Sequence, residues 1–115
     1  MAATVGYSRA VRVGEVVSVA GTAPVMADGS EPPADAYGQA RRCLEIIVAA
    51  LTEVGAGPEH VVRTRVFLTD AADWPEVGRA HGEVFADIRP ASTMVVTALL
   101  DPSWLVEIEA DAIVS

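Results

Sequence analysis

Acidic residues occupy three alternate positions near the end of the chain: Glu107, Glu109 and Asp111. On an extended strand every second side chain projects from the same face, about 6 to 7 Å from the next. A carboxylate in a partly dry cleft can accept a proton from water, so an acid of this row could act as a general base. The row is equally typical of a solvated strand face. It lacks the converging ligands or glycine-bearing loop of a hard-cation site, so we expect no metal.

The other groups with reactive side chains stand apart in the sequence. Cys43 is the only cysteine, and a lone cysteine without a nearby Cys or His cluster favours a buried apolar role over a reactive thiol. His60 and His81 have no neighbouring Ser, Cys or second His, so we interpret both as surface or hydrogen-bonded histidines. Tyr7 has two open interpretations: it closes a pocket and bonds a ligand, or it packs against a hairpin.

Charge and composition exclude several classes of partner. The 115 residues carry 16 acids against 8 bases, a net charge of -8, and the bases are scattered arginines. Such a surface repels phosphate backbones, so we expect no nucleic-acid partner. No apolar run reaches the roughly 18 residues of a membrane span, and the N-terminus does not resemble a signal peptide, so we expect a cytoplasmic location and no membrane partner. The length predicts one domain, residues 1–115.

The first half of the chain predicts a hairpin followed by a long helix. Two β-rich runs, 7–13 and 16–23, flank Gly14-Glu15, a pair that suits a two-residue turn. Asp28-Gly29 indicates another turn, and two prolines at 32–33 stop any strand there. From residue 36 to 54 apolar residues recur every three or four positions, as on one stripe of a helix. Asp35 suits the positive end of that helix, and Gly55, Gly57 and Pro58 end it.

The second half predicts a strand at 61–68, a helix at 70–85 with Asp73 as a cap, and strands at 91–100 and 104–114 joined by an Asp101-Pro102 turn. The order ββ(β)αβαββ indicates an α+β protein. Along the last strand the even residues 106–114 are all apolar, whereas the odd residues mix acids with aliphatics. The helices cover one face of a sheet, so we expect the mixed face to meet a partner subunit.

Taken together and in order, several segments resemble the RidA/YjgF family over nearly the whole chain: 7–11 (YSRAV), 19–24 (VAGTAP), 33–35 (PAD), 39–44 (QARRCL), 66–70 (VFLTD), 89–93 (RPAST) and 106–110 (VEIEA). The resemblance implies a chorismate-mutase-like α+β fold, with a mixed β-sheet and two helices packed on one face. It also implies a homotrimer with a cleft at each subunit interface. Active members of the family hydrolyse reactive imines and enamines to a keto acid and ammonia without a cofactor.

The resemblance also assigns pocket positions. Glu107 matches the glutamate that positions or activates water, Tyr7 matches a pocket tyrosine, and Ala20 and Gly21 match a glycine turn whose backbone completes the pocket. In the family an arginine grips the substrate carboxylate through its planar fork. Such a fork binds a carboxylate with two charge-assisted hydrogen bonds.

The chain departs from the family at the carboxylate-binding positions. Ser92 stands where the arginine is expected, followed by Thr93 and by Met94, where active members often carry a cysteine. Gly78 stands at a helix position usually occupied by asparagine. A single hydroxyl gives up charge-assisted bonds worth about 2 to 3 kcal/mol, so an imine derived from a 2-amino acid should bind poorly. Arg89 and Arg9 are two candidate replacement anchors for the carboxylate.

Three functions follow from these observations. The first is an enzyme that uses Glu107 and a water molecule to hydrolyse or tautomerise an imine, enamine or related small metabolite without the usual carboxylate. The second is a trimer that binds a small metabolite or a partner enzyme without turnover, as the changes at Ser92, Met94 and Gly78 favour. The third, an endoribonuclease, is disfavoured by the acidic surface and by the absence of a histidine pair.

Overall fold

The computed structural model describes residues 2–115, and they form a mixed sheet with its two long helices on one face. The elements in chain order are α1 Ala2–Val5, β1 Ala10–Val13, β2 Val16–Thr22, α2 Ala36–Glu53, β3 Val61–Leu68, α3 Trp74–Phe85, β4 Ala91–Val96 and β5 Val106–Ile113. The strand order is β1-β2-β5-β3-β4, in which only the β3–β4 pair is parallel. The α+β prediction is confirmed.

The core lies between the sheet and the helices α2 and α3. The even residues of β5 from 106 to 112 are buried, and the odd residues 107 to 111 are only partly covered, as the alternation predicts. Cys43, Leu44, Ile47 and Leu51 form the buried stripe of α2. The opposite face of the sheet is open and carries exposed aliphatic residues among charged ones: Val11, Val13, Val16, Val95 and Ile113.

The predicted hairpin turn and the predicted ends of α2 are confirmed. Val13 pairs with Val16 across the two-residue hairpin turn, where Gly14 has a φ of 60°. Asp35 is the N-cap of α2 and accepts a hydrogen bond from the Gly38 amide at 2.8 Å. At the other end Gly55 is left-handed with a φ of 78°, and the following amide returns to the carbonyl of Leu51. This is the Schellman arrangement that satisfies the last carbonyls of a helix.

Three details of the prediction were wrong. No third strand forms within residues 24–34, where the prolines lack amide donors. The first strand begins at Ala10 rather than at residue 7, and β4 ends at Val96, which pairs with Leu68, the last residue of β3. Asp73 is the N-cap residue of α3, as predicted, but its side chain makes no capping bond. Asp70 accepts a hydrogen bond from the Ala72 amide and caps a short 3-10 turn, Ala71–Asp73, before α3. None of the helices within residues 2–115 is long and apolar enough to span a membrane.

Candidate functional site

A β-bulge shapes the sheet beside the predicted general base. Val19 pairs with Ala110 and Thr22 pairs with Ile108, so the two residues Ala20 and Gly21 stand opposite one residue of β5. A bulge bends its strand and changes the direction in which neighbouring groups point. The glycine-turn segment assigned by resemblance is therefore a distinct backbone feature of β2.

Side chains hold the bulge in place. The Thr22 hydroxyl donates to the carbonyl of Ala20 at 2.7 Å. Nη2 of Arg9 donates to the carbonyl of Gly21 at 2.9 Å, and its guanidinium lies 5.7 Å from the centre of the Tyr7 ring. The guanidinium of Arg9 therefore stabilises the bulge. It would have to give up this hydrogen bond to act as a replacement anchor for a substrate.

Gly21 makes room for the carboxylate of Glu107. A Cβ atom built on Gly21 would lie 2.6 Å from Oε2 of Glu107, closer than real contacts allow, so any other residue would displace the carboxylate. Partial burial raises the pKa of Glu107 above its usual value, the positive charge of Arg9 opposes this rise in pKa, and the negative charge of Glu109 adds to it. A carboxylate with a raised pKa is a stronger base for a proton of water.

The acidic row on β5 divides into two parts. Nη1 of Arg65, on the neighbouring strand, bonds Glu109 at 3.1 Å and Asp111 at 3.4 Å. These two carboxylates match the interpretation as a solvated strand face. Among residues 2–115 no ion pair involves Glu107, and no three potential metal ligands converge.

Two shallow hollows on the open side of the sheet contain the predicted pocket residues. One is lined by Gly21, Phe67, Leu99 and Glu107, among others. The other is lined by residues that include Tyr7, Ala20 and Glu109. The structure thus brings Glu107 together with Gly21, and places Tyr7 with Ala20 beside them.

Ser92 lies on the other side of the sheet from Glu107. It pairs with Thr64, which in turn pairs with the buried Ala110, so all three side chains lie on the helix-covered face. Because Glu107 lies between the buried positions of β5, its side chain projects from the open face. Within one chain these two residues do not share a pocket.

The remaining positions of that strand segment differ in their surroundings. Thr93 is exposed and pairs with Arg65, which places it on the open face. Met94 is half-buried and packs against the core, so it has a structural role in addition to any contact with a ligand.

A chain of hydrogen bonds joins Ser92 to a histidine. The side chain of Thr64 is fully buried, and its hydroxyl donates to Oγ of Ser92 at 2.8 Å. Nε2 of His81 lies 2.8 Å from the same Thr64 oxygen, and the imidazole packs against the Phe85 ring. Burial lowers the pKa of His81. The prediction of a hydrogen-bonded histidine is confirmed for His81. Its link through Thr64 to Ser92 was not predicted, because these two residues lie on two different strands.

Gly78 lies beside an exposed aromatic ring on α3. Trp74 is one turn earlier and 60% exposed, and a Cβ on Gly78 would lie 3.8 Å from its ring, an ordinary contact. Trp74, Gly78 and His81 are spaced four and three residues apart, which puts them on one stripe of the helix. That stripe leads to Thr64 and Ser92.

The chain is similar to known proteins in both sequence and fold. The family model described as Endoribonuclease L-PSP matches residues 1–114. The chain belongs to the RidA/YjgF superfamily. One solved structure similar to this RidA/YjgF protein is Rv2704 of Mycobacterium tuberculosis, a member of the YjgF/YER057c/UK114 family. Its sequence is 48% identical, the TM-score is 0.89, and the match covers 98% of this chain and 91% of that one.

Two relatives extend the likeness. An uncharacterised protein of Streptomyces coelicolor is 41% identical over 93% of this chain and 81% of its own length. The 3-aminoacrylate deaminase RutC of Acinetobacter baylyi is 32% identical over 92% of this chain and 85% of its own length. The resemblance to the RidA/YjgF family is thus confirmed.

Two further residues of this RidA/YjgF chain have defined surroundings. Cys43 is fully buried, and desolvation, aided by the negative charge of Glu107, raises the pKa of its thiol to about 12. It is a core residue rather than a nucleophile. Arg89 is exposed and has a left-handed backbone with a φ of 57° just before Pro90.

Proposed function

We propose that this RidA/YjgF protein hydrolyses or tautomerises a reactive imine, enamine or related small metabolite, with Glu107 as the general base. The observation that carries the proposal is the environment of Glu107. Its carboxylate has a raised pKa and lies against Gly21, whereas Arg65 pairs with its two acidic neighbours. A strand that served only solubility would not need glycine at the one position where a side chain would displace this carboxylate.

Hydrolysis of an imine by this site needs only water. Glu107 takes a proton from a water molecule whose oxygen forms a bond to the carbon of the C=N group, and the nitrogen gains a proton. The resulting carbinolamine loses ammonia, and its hydroxyl becomes the carbonyl of the product. The chemistry agrees with the deaminase activity for which the Acinetobacter baylyi relative is named.

The complete site requires a second copy of the chain. Ser92 and Glu107 project from opposite faces of one sheet, so a cleft that contains both draws them from two subunits. We therefore propose a homotrimer with a small-molecule cleft at each interface, each formed by the open face of one subunit and strand β4 of the next. Exposed aliphatic side chains on the open face and on β4 support such contacts.

The alternative is a trimer that binds a small metabolite or a partner without turnover. The observation in its favour is the loss of polar groups at Gly78 and Met94, and the replacement of a charged anchor by Ser92. An endoribonuclease, as the family model is described, is disfavoured because the net charge of -8 repels RNA.

Ammonia release from freshly generated 2-iminopropionate tests the proposal. The wild type, Glu107→Ala and Ser92→Arg are compared at matched protein concentration, with Glu109→Ala as the control for a neighbouring carboxylate. Acceleration by the wild type that Glu107→Ala abolishes and Glu109→Ala retains supports the deaminase. Activity only in Ser92→Arg indicates intact water chemistry with a changed substrate class. If the wild type and Ser92→Arg are both inert, the binding trimer is the better description.

A further inference from the structure

We propose that His81, Thr64 and Ser92 form a hydroxyl relay that makes Ser92 an uncharged hydrogen-bond donor for a neutral carbonyl or carboxamide oxygen of the ligand. The inference deepens the proposed function, since it rests on that function for the location of the cleft and adds the class of group recognised there. It applies to an enzyme and to a binding trimer alike.

The relay follows from the hydrogen-bonding capacity of Thr64. A hydroxyl has one hydrogen to donate, and Thr64 donates it to Ser92. The contact with His81 then runs the other way, which requires the imidazole tautomer that carries its proton on Nε2 and donates it to the threonine oxygen. The hydrogen of Ser92 is left without a partner in this chain of bonds, and Ser92 is exposed. Its O–H is therefore available to an acceptor outside the chain.

Burial makes a purely packing role for Thr64 the weaker explanation. Its side chain is fully buried and its hydroxyl is linked to two other side chains, where valine would fill the same space without a polar group to satisfy. His81 and Thr64 thus fix the direction of a hydroxyl whose outer end meets solvent. They are positioning residues that act through Ser92.

The relay carries no net charge, and this decides what it can recognise. Burial lowers the pKa of His81, which favours the neutral imidazole. A single neutral O–H gains about 1 kcal/mol from a carbonyl, too little to offset the desolvation of a carboxylate that an arginine fork would satisfy. A neutral oxygen acceptor is the better match.

The stripe on α3 beside the relay suits the apolar part of such a ligand. Gly78 lies between Trp74 and His81 on this stripe and contributes no side chain, and the Trp74 indole is exposed. Flat apolar surface of a ligand gains from contact with an indole. The indole N–H of Trp74 also gives an NMR signal that can report the binding of a ligand.

Pyruvamide and pyruvate are matched probes for the test, because they differ mainly in the charge of one group. Binding to the full-length protein is followed by NMR through the indole N–H of Trp74, assigned with Trp74→Phe. We expect the wild type to bind pyruvamide at least about 5-fold more tightly than pyruvate, as about 1 kcal/mol implies. Equal or tighter binding of pyruvate overturns the inference.

Paired variants separate the relay from its packing role. Thr64→Val should weaken pyruvamide binding about 5-fold and leave pyruvate unchanged, whereas Thr64→Ser retains the hydroxyl and the preference. His81→Gln, which keeps an N–H donor, should bind better than His81→Phe; this second pair carries the test if Thr64→Val does not fold. Unchanged preference in Thr64→Val or in His81→Phe overturns the relay. Loss of ammonia release with the preference intact overturns only the proposed catalysis.

Discussion

At the scale of single residues, Glu107 has properties that favour chemistry over stability. Its carboxylate is partly buried, and burial raises its pKa above the usual value of 4.5, although Arg9 lies near enough to oppose the rise in pKa. Such a group makes the folded chain bind a proton more tightly than the unfolded chain does. The free energy of unfolding therefore falls as the pH rises from the unfolded pKa through the folded pKa.

Glu107→Gln should consequently be more stable than the wild type at about pH 7, and the two should converge below about pH 4, where the carboxyl is protonated in both states. Urea denaturation at the two pH values measures the difference. Glu109→Gln is the matched control: it removes an ion pair with Arg65 and should show no gain in stability. A Glu107→Gln variant that is less stable than the wild type at neutral pH would contradict this account of its environment.

Gly21 provides a second test at the residue scale. In Gly21→Ala the new Cβ would lie 2.6 Å from Oε2 of Glu107, and the end of a flexible side chain can rotate away. We expect the free energy of unfolding to change by less than about 1 kcal/mol, while turnover falls by about 10- to 100-fold because the base is misplaced. Gly82→Ala, which meets nothing within 4 Å, is the control. Full turnover in Gly21→Ala would show that the position of Glu107 does not matter.

At the scale of elements, Gln39 connects α2 to two loops. The side chain is buried, and its amide donates to the carbonyls of Pro33 and Ser103, each at 2.9 Å, while its oxygen accepts from the Leu105 amide at 2.7 Å. One side chain thus holds the segment before α2 and the segment that leads into β5. The position of Glu107, two residues after Leu105, depends on this connection.

Gln39→Leu should lower the free energy of unfolding by about 2 to 4 kcal/mol, because it leaves two carbonyls and an amide without their partner. Chemical denaturation measures the loss. Arg41→Ala on the same helix removes an exposed ion pair with Glu83 and should lower the free energy of unfolding far less than Gln39→Leu does. Equal effects of the two substitutions would show that the Gln39 contacts are not what fixes these loops.

Local sequence patterns predicted the elements because they depend on short spacings. The helix predicted at 36–54 is Ala36–Glu53, and the strand predicted at 61–68 is Val61–Leu68. The site could be predicted only in part. The bulge at Gly21 depends on the register between β2 and β5, and the face on which Ser92 lies depends on how β4 pairs with β3. Such long-range registers leave no local periodicity, so the separation of Ser92 from Glu107 was not foreseen.

At the scale of the whole molecule, the separation of Ser92 from Glu107 leads to a prediction about assembly. The helices cover one face of the sheet, and the open face combines exposed aliphatic residues with the ion pairs of Arg65. Strand β4 at the edge is exposed along most of its length. A surface of this kind suits a subunit interface, and light scattering should give three times the mass of one chain. A monomer would contradict both the assembly and the proposed cleft.

Subunit mixing tests whether each cleft draws on two chains. Glu107→Ala lacks the base and Ser92→Phe blocks the other wall, so each variant alone should be inactive toward a substrate that the wild type turns over. If Glu107 and Ser92 of one cleft come from neighbouring subunits, trimers refolded from equal amounts of the two variants place both intact residues in about a quarter of the clefts. Ammonia release should then return to about a quarter of the wild-type rate. If both residues of a cleft belonged to one chain, every cleft would carry one of the two substitutions, and mixing would restore no ammonia release. Light scattering on the mixture is the control that trimers have formed.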